Sequence, residues 1–308
     1  MSEARLHSAE KGLRGTFMVD AHVHCHAGVS PARLLDQAAA NFATAAATRD
    51  VDPVAGWLLF TEVAHEDAFA GLVRTAREGG RLDGWQLRST AEPVSLIAEG
   101  PAAFPLIIVA GRQIVTAEGL EVLAIGAPGP FADGRDLASS VAEVRAAGGL
   151  VVVPWGFGKW WGRRGALVAD LLAQSTPGSI FLGDNGGRLE AAPPPAAFAA
   201  ARAKGIPVLP GSDPLPLPAE AESAVGRYGF VIEAEVDADH PAAGLQQYLS
   251  ALREQPASFG RLQALLPFVG RQLAMQWRKR RGAGHQHAGQ QGGGQQGAGQ
   301  QGEEVRSR

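Results

Sequence analysis

From residue 16 to residue 281, apolar strand-like runs alternate with alanine-rich stretches of helical length. That alternation leaves few architectures open, because repeated βα units bury their strands by laying helices against a largely parallel sheet. Strands are expected at 17–24, 55–61, 84–90, 94–98, 106–110, 112–116, 120–126, 150–154, 180–184, 206–209 and 228–235. Helices are expected at 31–47, 65–78, 136–147, 165–174, 195–204, 241–254 and 259–280. Ser30-Pro31 has the chemistry of a helix start, and Gly148-Gly149 and Gly205 that of helix stops. Leu150-Val151-Val152-Val153 is a continuous β-branched run, as in a strand covered on both faces. Residues 114–123 differ: two β-like runs flank Ala117-Glu118-Gly119, which reads as a hairpin. The expected fold class is α/β, with the sheet either open or closed into a barrel.

The ends of the chain have another character. Residues 1–15 are polar with no apolar run, so a flexible N-terminus without a secretory signal is expected. Residues 282–308 begin with a tract of almost only Gly, Gln, Ala and His, which cannot bury enough apolar surface to offset its ordering entropy. The folded part is therefore 16–281. Trp277 to Arg281 is a short basic run that suits the last turn of a helix.

Composition removes several function classes. The formal net charge is −3, from 28 basic and 31 acidic side chains, which argues against a dedicated nucleic-acid binder. The single cysteine, Cys25, excludes an intrachain disulfide and a cysteine-based zinc cage. No run reaches the ~18 apolar residues of a membrane span, and a cytoplasmic location is expected. Of the eight histidines, three are His22, His24 and His26, so a histidine metal site must be built there.

Val19-Asp20-Ala21-His22-Val23-His24 ends the first strand. Residues two apart on a strand face the same way, about 6–7 Å apart at Cα. Two imidazoles at the C-terminal end of a strand can share one divalent ion. Asp20 suits a supporting carboxylate better than a ligand. His26 continues the alternation only if the chain has not turned before Gly28.

An Asp-x-His-x-His opening followed by βα units resembles the PHP (polymerase and histidinol phosphatase) family. The hairpin segment 110–126, Val152-Val153-Pro154, the strand end 181–186 and the run 207–213 resemble later strand ends of that family in the same order, over about residues 17–235. The resemblance implies a distorted (β/α)7 TIM-like barrel with an internal β-hairpin, divalent ions, and phosphoester hydrolysis. Three positions depart from it. Gln113 stands where the family has a ligating Glu, Trp155 where it has His, and Asp213 is followed by Pro214-Leu215 where a closing His is expected. Gln is a poorer ligand for a hard cation, and an indole only donates. The ligands implied are His22, His24 and Asp213, with His65 in the position after the second strand and Glu62 as its alternative. That set suits one Zn, Mn or Fe ion, or none.

A second concentration follows strand 150–154. Trp155, Lys159, Trp160, Trp161, Arg163 and Arg164 fall within ten residues, with three of the six tryptophans. Lys159, Arg163 and Arg164 are candidates to clamp an oxyanion, and Trp155 a candidate wall. Asp184, Asn185 and Arg188 follow the next strand, where a plain turn is equally open. The expectation is a metal-dependent phosphoesterase acting on a small anionic substrate, without specific nucleic-acid or membrane contact. Asp213, Glu62 and Lys159 are its catalytic candidates, and Gln113 joins the substrate-binding set. Its rivals are a catalytically degenerate barrel used as a ligand-binding module and an amidohydrolase-type C–N hydrolase.

Overall fold

The computed structural model describes residues 12–217, 220–263 and 270. The chain divides into two units, 1–263 and 264–308. The first carries both sheets and the helices that cover them. The expected tail at 282–308, the basic run at 277–281 and most of the expected last helix lie outside the described residues.

The elements follow the expected alternation closely. They are β1 (Leu13–Val23), α1 (Pro31–Arg49), β2 (Pro53–Phe60), α2 (Ala68–Arg77), β3 (Arg81–Leu82), β4 (Trp85–Ser89), β5 (Ser95–Glu99), β6 (Leu106–Val109), β7 (Gly111–Val115) and β8 (Glu121–Ile125). Then come α3 (Leu137–Ala146), β9 (Leu150–Pro154), α4 (Arg163–Gln174), β10 (Phe181–Asn185), α5 (Ala196–Ala203), β11 (Val208–Gly211), β12 (Tyr228–Val236), α6 (Pro241–Ala251) and β13 (Ala257–Gly260). Ser30 caps α1 through Arg33 N–H, with Pro31 opening the helix. β7 and β8 form the expected hairpin, Gly119 turning it at φ +74°. β1 starts at Leu13, paired with Val236, four residues before the expected start of the strand. Residues 257–260 are likewise strand, where a helix was expected from 259.

The strands form two separate sheets, not one closed ring among the described residues. One has the order β13-β12-β1-β2-β6-β5-β4-β3, the other β11-β10-β9-β8-β7. Only β1/β2, β2/β6, β9/β10 and β10/β11 are parallel; the remaining ladders are antiparallel. The expected (β/α)7 barrel therefore reduces to a mixed α/β fold in which the two edge strands of the smaller sheet, β7 and β11, reach the C-terminal ends of β2 and β1, interior strands of the larger one, through isolated bonds. Glu62 bridges to Arg112 on one side, and Asp213 N–H donates to His22 O at 2.9 Å on the other. A continuous ladder is not available there: Pro210 within β11 and Pro214 after it carry no N–H.

Three apolar layers result. Phe17, Val19, Ala21, Trp57, Leu59, Val109, Leu123, Ile125, Val152, Phe181 and Leu209 fill the space between the sheets, with Leu245 and Leu249 of α6. Met18, Leu58, Phe60 and Ile108 face α1 through Leu34, Leu35, Ala38 and Phe42. Val122, Ala124, Val151, Val153 and Leu182 face α3, α4 and α5 through Val144, Val168, Leu172 and Phe198. Burying one such large side chain contributes about 1.5–3 kcal/mol. No helix among the described residues is long and apolar enough to cross a membrane.

Candidate metal centre

The parity of β1 changes just before the histidines. Phe17, Val19 and Ala21 face the inner layer, but Val23 and Cys25 belong to the helix-covered side. Asp20 pairs with Leu58 and Val23 with Phe60, three steps on β1 against two on β2. One extra residue makes a β-bulge there. It turns His22, His24 and His26 to the side opposite Val23 and Cys25, above the inner apolar layer.

His22 and His24 are both 4% exposed. Their Nε2 atoms are 3.1 Å apart. Asp213 Oδ1 lies 3.5 Å from His22 Nε2 and 3.6 Å from His24 Nε2. Gln113 Oε1 is 3.2 Å from His22 Nε2. Burial holds the His22 imidazole below its usual pKa against the pull of Asp213, which keeps a lone pair on the ring.

Asp213 is carried to this point by a close strand approach. A Cβ on Gly211 would stand 2.5 Å from His22 N and 2.6 Å from His22 Cβ, so only glycine lets β11 end against β1. Asp213 itself has φ +46°, an unfavourable conformation for a residue before proline. Asn185 Nδ2 donates to Asp213 Oδ2 at 2.9 Å and to Trp155 O at 2.8 Å, leaving Oδ1 turned to the histidines. Below the pair, Asp20 is fully buried and accepts from His22, Ser212 and Gly226 N–H. Burial raises its pKa to about 6 despite these bonds.

Glu66 was not singled out from the sequence. A turn between Val63 and Glu66 swings it inward, and its Oε2 accepts Val63 N–H at 3.0 Å. Its Oε1 bonds His26 Nδ1 at 2.8 Å, and its Oε2 lies 3.6 Å from His24 Nδ1. His26 Nε2 reaches Pro214 O at 2.7 Å. A carboxylate and a carbonyl both only accept, so both His26 nitrogens donate and the ring is an imidazolium. Burial works against that charge, while the bonds to Glu66 and Pro214 raise the His26 pKa. Burial likewise works against the Glu66 charge, but the nearby His24 imidazole and the bonds to His26 and Val63 hold its pKa low. His24, His26 and Glu66 are near enough to hold an ion, but an imidazolium has no lone pair to give.

The remaining candidates divide. His65 is exposed, on the turn that points Glu66 inward; it belongs to neither donor group among the described residues. Glu62 Oε1 accepts Phe69 N–H at 2.7 Å and serves the start of α2; burial raises its pKa. Trp155 packs against the helix-covered cluster, following the outward parity of Val151 and Val153. Arg163 is exposed, and Arg164 NH2 donates to Gly158 O at 2.7 Å in the first turn of α4. Lys159 pairs with Glu121. Of the three expected clamp cations, Lys159 and Arg164 are thus engaged within the protein and Arg163 is exposed. Arg188 forms a two-pronged pair with Asp184 at 2.8 and 2.9 Å, and Tyr228 OH donates to the same carboxylate at 2.9 Å. Glu121, also missed, shares the inward parity of Leu123 and Ile125, and that parity was the available signal.

A divalent ion fits this donor set. Ligands about 2.0–2.2 Å from one ion stand about 3.0–3.5 Å from each other, and the three edges of the His22–His24–Asp213 triangle nearly match. His24 Nδ1 is buried with no hydrogen-bond partner, on the side where Glu66 can take its proton and leave Nε2 free to coordinate.

The fold and these donors define a mixed α/β chain with a candidate metal centre at one end of its strands. No protein-family model matches the chain, and no curated protein matches it. Among solved structures it is similar to PsfC from Pseudomonas syringae PB-5123, with 16% identity and a TM-score of 0.51, over 87% of this chain and 99% of that one. A two-domain protein from Bacteroides vulgatus ATCC 8482, containing a predicted PHP-like metal-dependent phosphoesterase, matches at 16% identity and a TM-score of 0.46, over 80% of this chain and 65% of that one. The lesion-specific endonuclease PfuEndoQ from Pyrococcus furiosus matches at 12% identity and a TM-score of 0.41, over 76% and 56%. At 16% identity the likeness to PsfC is one of fold.

Proposed function

We propose that the chain is a PHP-like metal-dependent hydrolase, acting on a small anionic substrate, a phosphoester first of all. The observation that carries this reading is the convergence of His22 Nε2, His24 Nε2 and Asp213 Oδ1 within 3.6 Å of one another. Such a set would hold one Zn, Mn or Fe ion. Bound there, a divalent ion supplies the charge that polarises a phosphoryl oxygen and acidifies a water. The chain's own residues do the rest. Glu66 Oε2 stands 3.6 Å from His24 Nδ1 and would accept that nitrogen's proton once Nε2 coordinates, fixing the tautomer. Asn185 holds Asp213 by Oδ2, so that Oδ1 faces the two imidazoles, where it can bind an ion or take a proton. The buried floor of Val19, Trp57 and Leu123 keeps bulk water from the lower side of the centre.

The exposed Arg163 and the half-exposed Lys159 are the cations for an incoming anion. A specific observation favours the second reading, a binding module without turnover: the Lys159 charge is already met by Glu121. Metal analysis of the purified full chain, with phosphoester turnover, separates them. The hydrolase reading expects about one ion per chain, and loss of both ion and turnover in the His22→Ala, His24→Ala double variant. Unchanged metal and turnover in that variant would sink it. Stoichiometric metal without turnover would favour the module.

A further inference from the structure

Gln113 is 9% exposed, on β7, and its two ends meet different partners. Oε1 lies 3.2 Å from His22 Nε2, and Nε2 donates to Glu121 Oε1 at 3.3 Å. The amide cannot be turned round. An ionised carboxylate only accepts, so the end of Gln113 facing Glu121 must be the NH2 group. Glu121 is held in turn by Lys159 Nζ, from the segment after β9. Glu121 and Gln113 sit on the two arms of the hairpin, two residues out of register, with Gln113 opposite Leu123 and Val115 opposite Glu121. The hairpin therefore carries both the donor and the group that aims it.

We infer that Glu121, clamped by Lys159, is a positioning residue that aims the Gln113 carbonyl at the His22–His24–Asp213 cluster, where it is the fourth and neutral donor to a divalent cation. The inference rests on the metal-dependent reading. Four lone-pair atoms then face one point: two imidazole nitrogens, one carboxylate oxygen and one amide oxygen. Three protein ligands leave Zn an open fourth position; with Gln113 the set closes to four, or leaves open positions only to an ion of higher coordination number. A neutral oxygen in that place gives the donor set a single negative charge, so it holds one ion more comfortably than two. Lys159 also makes the centre sensitive to its own loop, because moving Lys159 away leaves the Glu121 carboxylate without a countercharge beside the Gln113 amide.

The test is Co2+ binding to the full chain, read by visible absorption, which responds to the ligand number, with the affinity for Zn2+ measured by chelator competition. The expected result is one ion in the wild type, lost in His22→Ala. Gln113→Leu should weaken binding 10- to 100-fold and shift the cobalt bands, and Glu121→Gln should shift them the same way with about tenfold weaker binding. Combining Glu121→Gln with Gln113→Leu should cost no more than Gln113→Leu alone, since both act through one contact. Gln113→Glu, which keeps the shape and adds charge, should bind Zn2+ more tightly than the wild type. Additive losses overturn the inference. So do cobalt bands indifferent to Gln113 and Glu121 in a protein that still binds one His22-dependent ion; the metal-dependent reading then survives. A wild type that binds no stoichiometric ion ends both.

Discussion

Asp20 Oδ1 accepts the backbone N–H of Ser212 at 2.8 Å, and this bond ties the first strand to the residue just before Asp213. The second carboxylate oxygen takes the N–H of Gly226 at 2.8 Å. Asp20 thus acts through the backbone rather than on an ion, and sets where the Asp213 carboxylate arrives. Asp20→Ala leaves the buried amides of His22, Ser212 and Gly226 without this acceptor, at about 1–3 kcal/mol each, offset in part because a carboxylate is no longer buried. A loss of about 2–4 kcal/mol in urea unfolding is expected, with weaker divalent-ion binding alongside. An unchanged urea midpoint would refute this account of Asp20.

Gly211→Ala should damage the centre more selectively. Its Cβ would meet the backbone N of His22 at 2.5 Å, where no side chain can rotate away. Overpacking of this kind costs about 1–3 kcal/mol. The expected outcome is a folded, less stable protein whose Zn2+ affinity falls at least tenfold, since β11 must retreat with Asp213. Calorimetric Zn2+ titration of the variant checks it, and wild-type affinity would show that the strands have slack.

Arg188→Ala should cost about 3–5 kcal/mol. The Asp184 side chain is 8% exposed, and removing the guanidinium leaves a buried carboxylate with only Tyr228 for support. A thermal melt near that of the wild type would mean that water replaces the guanidinium without loss.

Cys25 should stay silent to thiol reagents in the folded chain. It is 5% exposed, and burial, reinforced by Glu62, Glu66 and Glu222, pushes its pKa up to about 12. The folded chain therefore holds this proton more firmly than the unfolded chain does. The contribution to stability is complete below about pH 9 and is lost as the pH rises toward about 12. Rapid labelling at about pH 8 in native buffer, as fast as in urea, would contradict the buried thiol.

Much of the fold was legible because period and punctuation agreed. Leu150–Val153, the Ser30-Pro31 start and the Gly119 hairpin each carried a local cause, and each lies where that cause put it. The pairing of strands was less legible, since β1 with β12 and β4 with β5 are antiparallel contacts set by non-local packing. At the site, the His22–His24 pair followed from strand parity, and Asp213 came only with the family resemblance. Glu66 was hidden because sequence order favoured its neighbour His65. The turn at Val63–Glu66 decides which of the two faces inward, and turns of that length leave little trace in composition. Lys159 was readable as a cation, but its partner Glu121 sits 38 residues away and no local pattern joins them.

The bulge between Asp20 and Val23 gives β1 something like a reading frame. Before it, odd-numbered residues line the interior; after it, even-numbered ones do. Drawing β1 out straight through this point, with no change of sequence, would carry the imidazoles to the side packed by α1 and turn Val23 and Cys25 toward Asp213. Deleting Ala21 would instead remove the extra residue and keep Phe17, Val19, His22 and His24 on one face in plain alternation. The histidine motif alone therefore does not set which side the imidazoles take; its phase against the residues before it does.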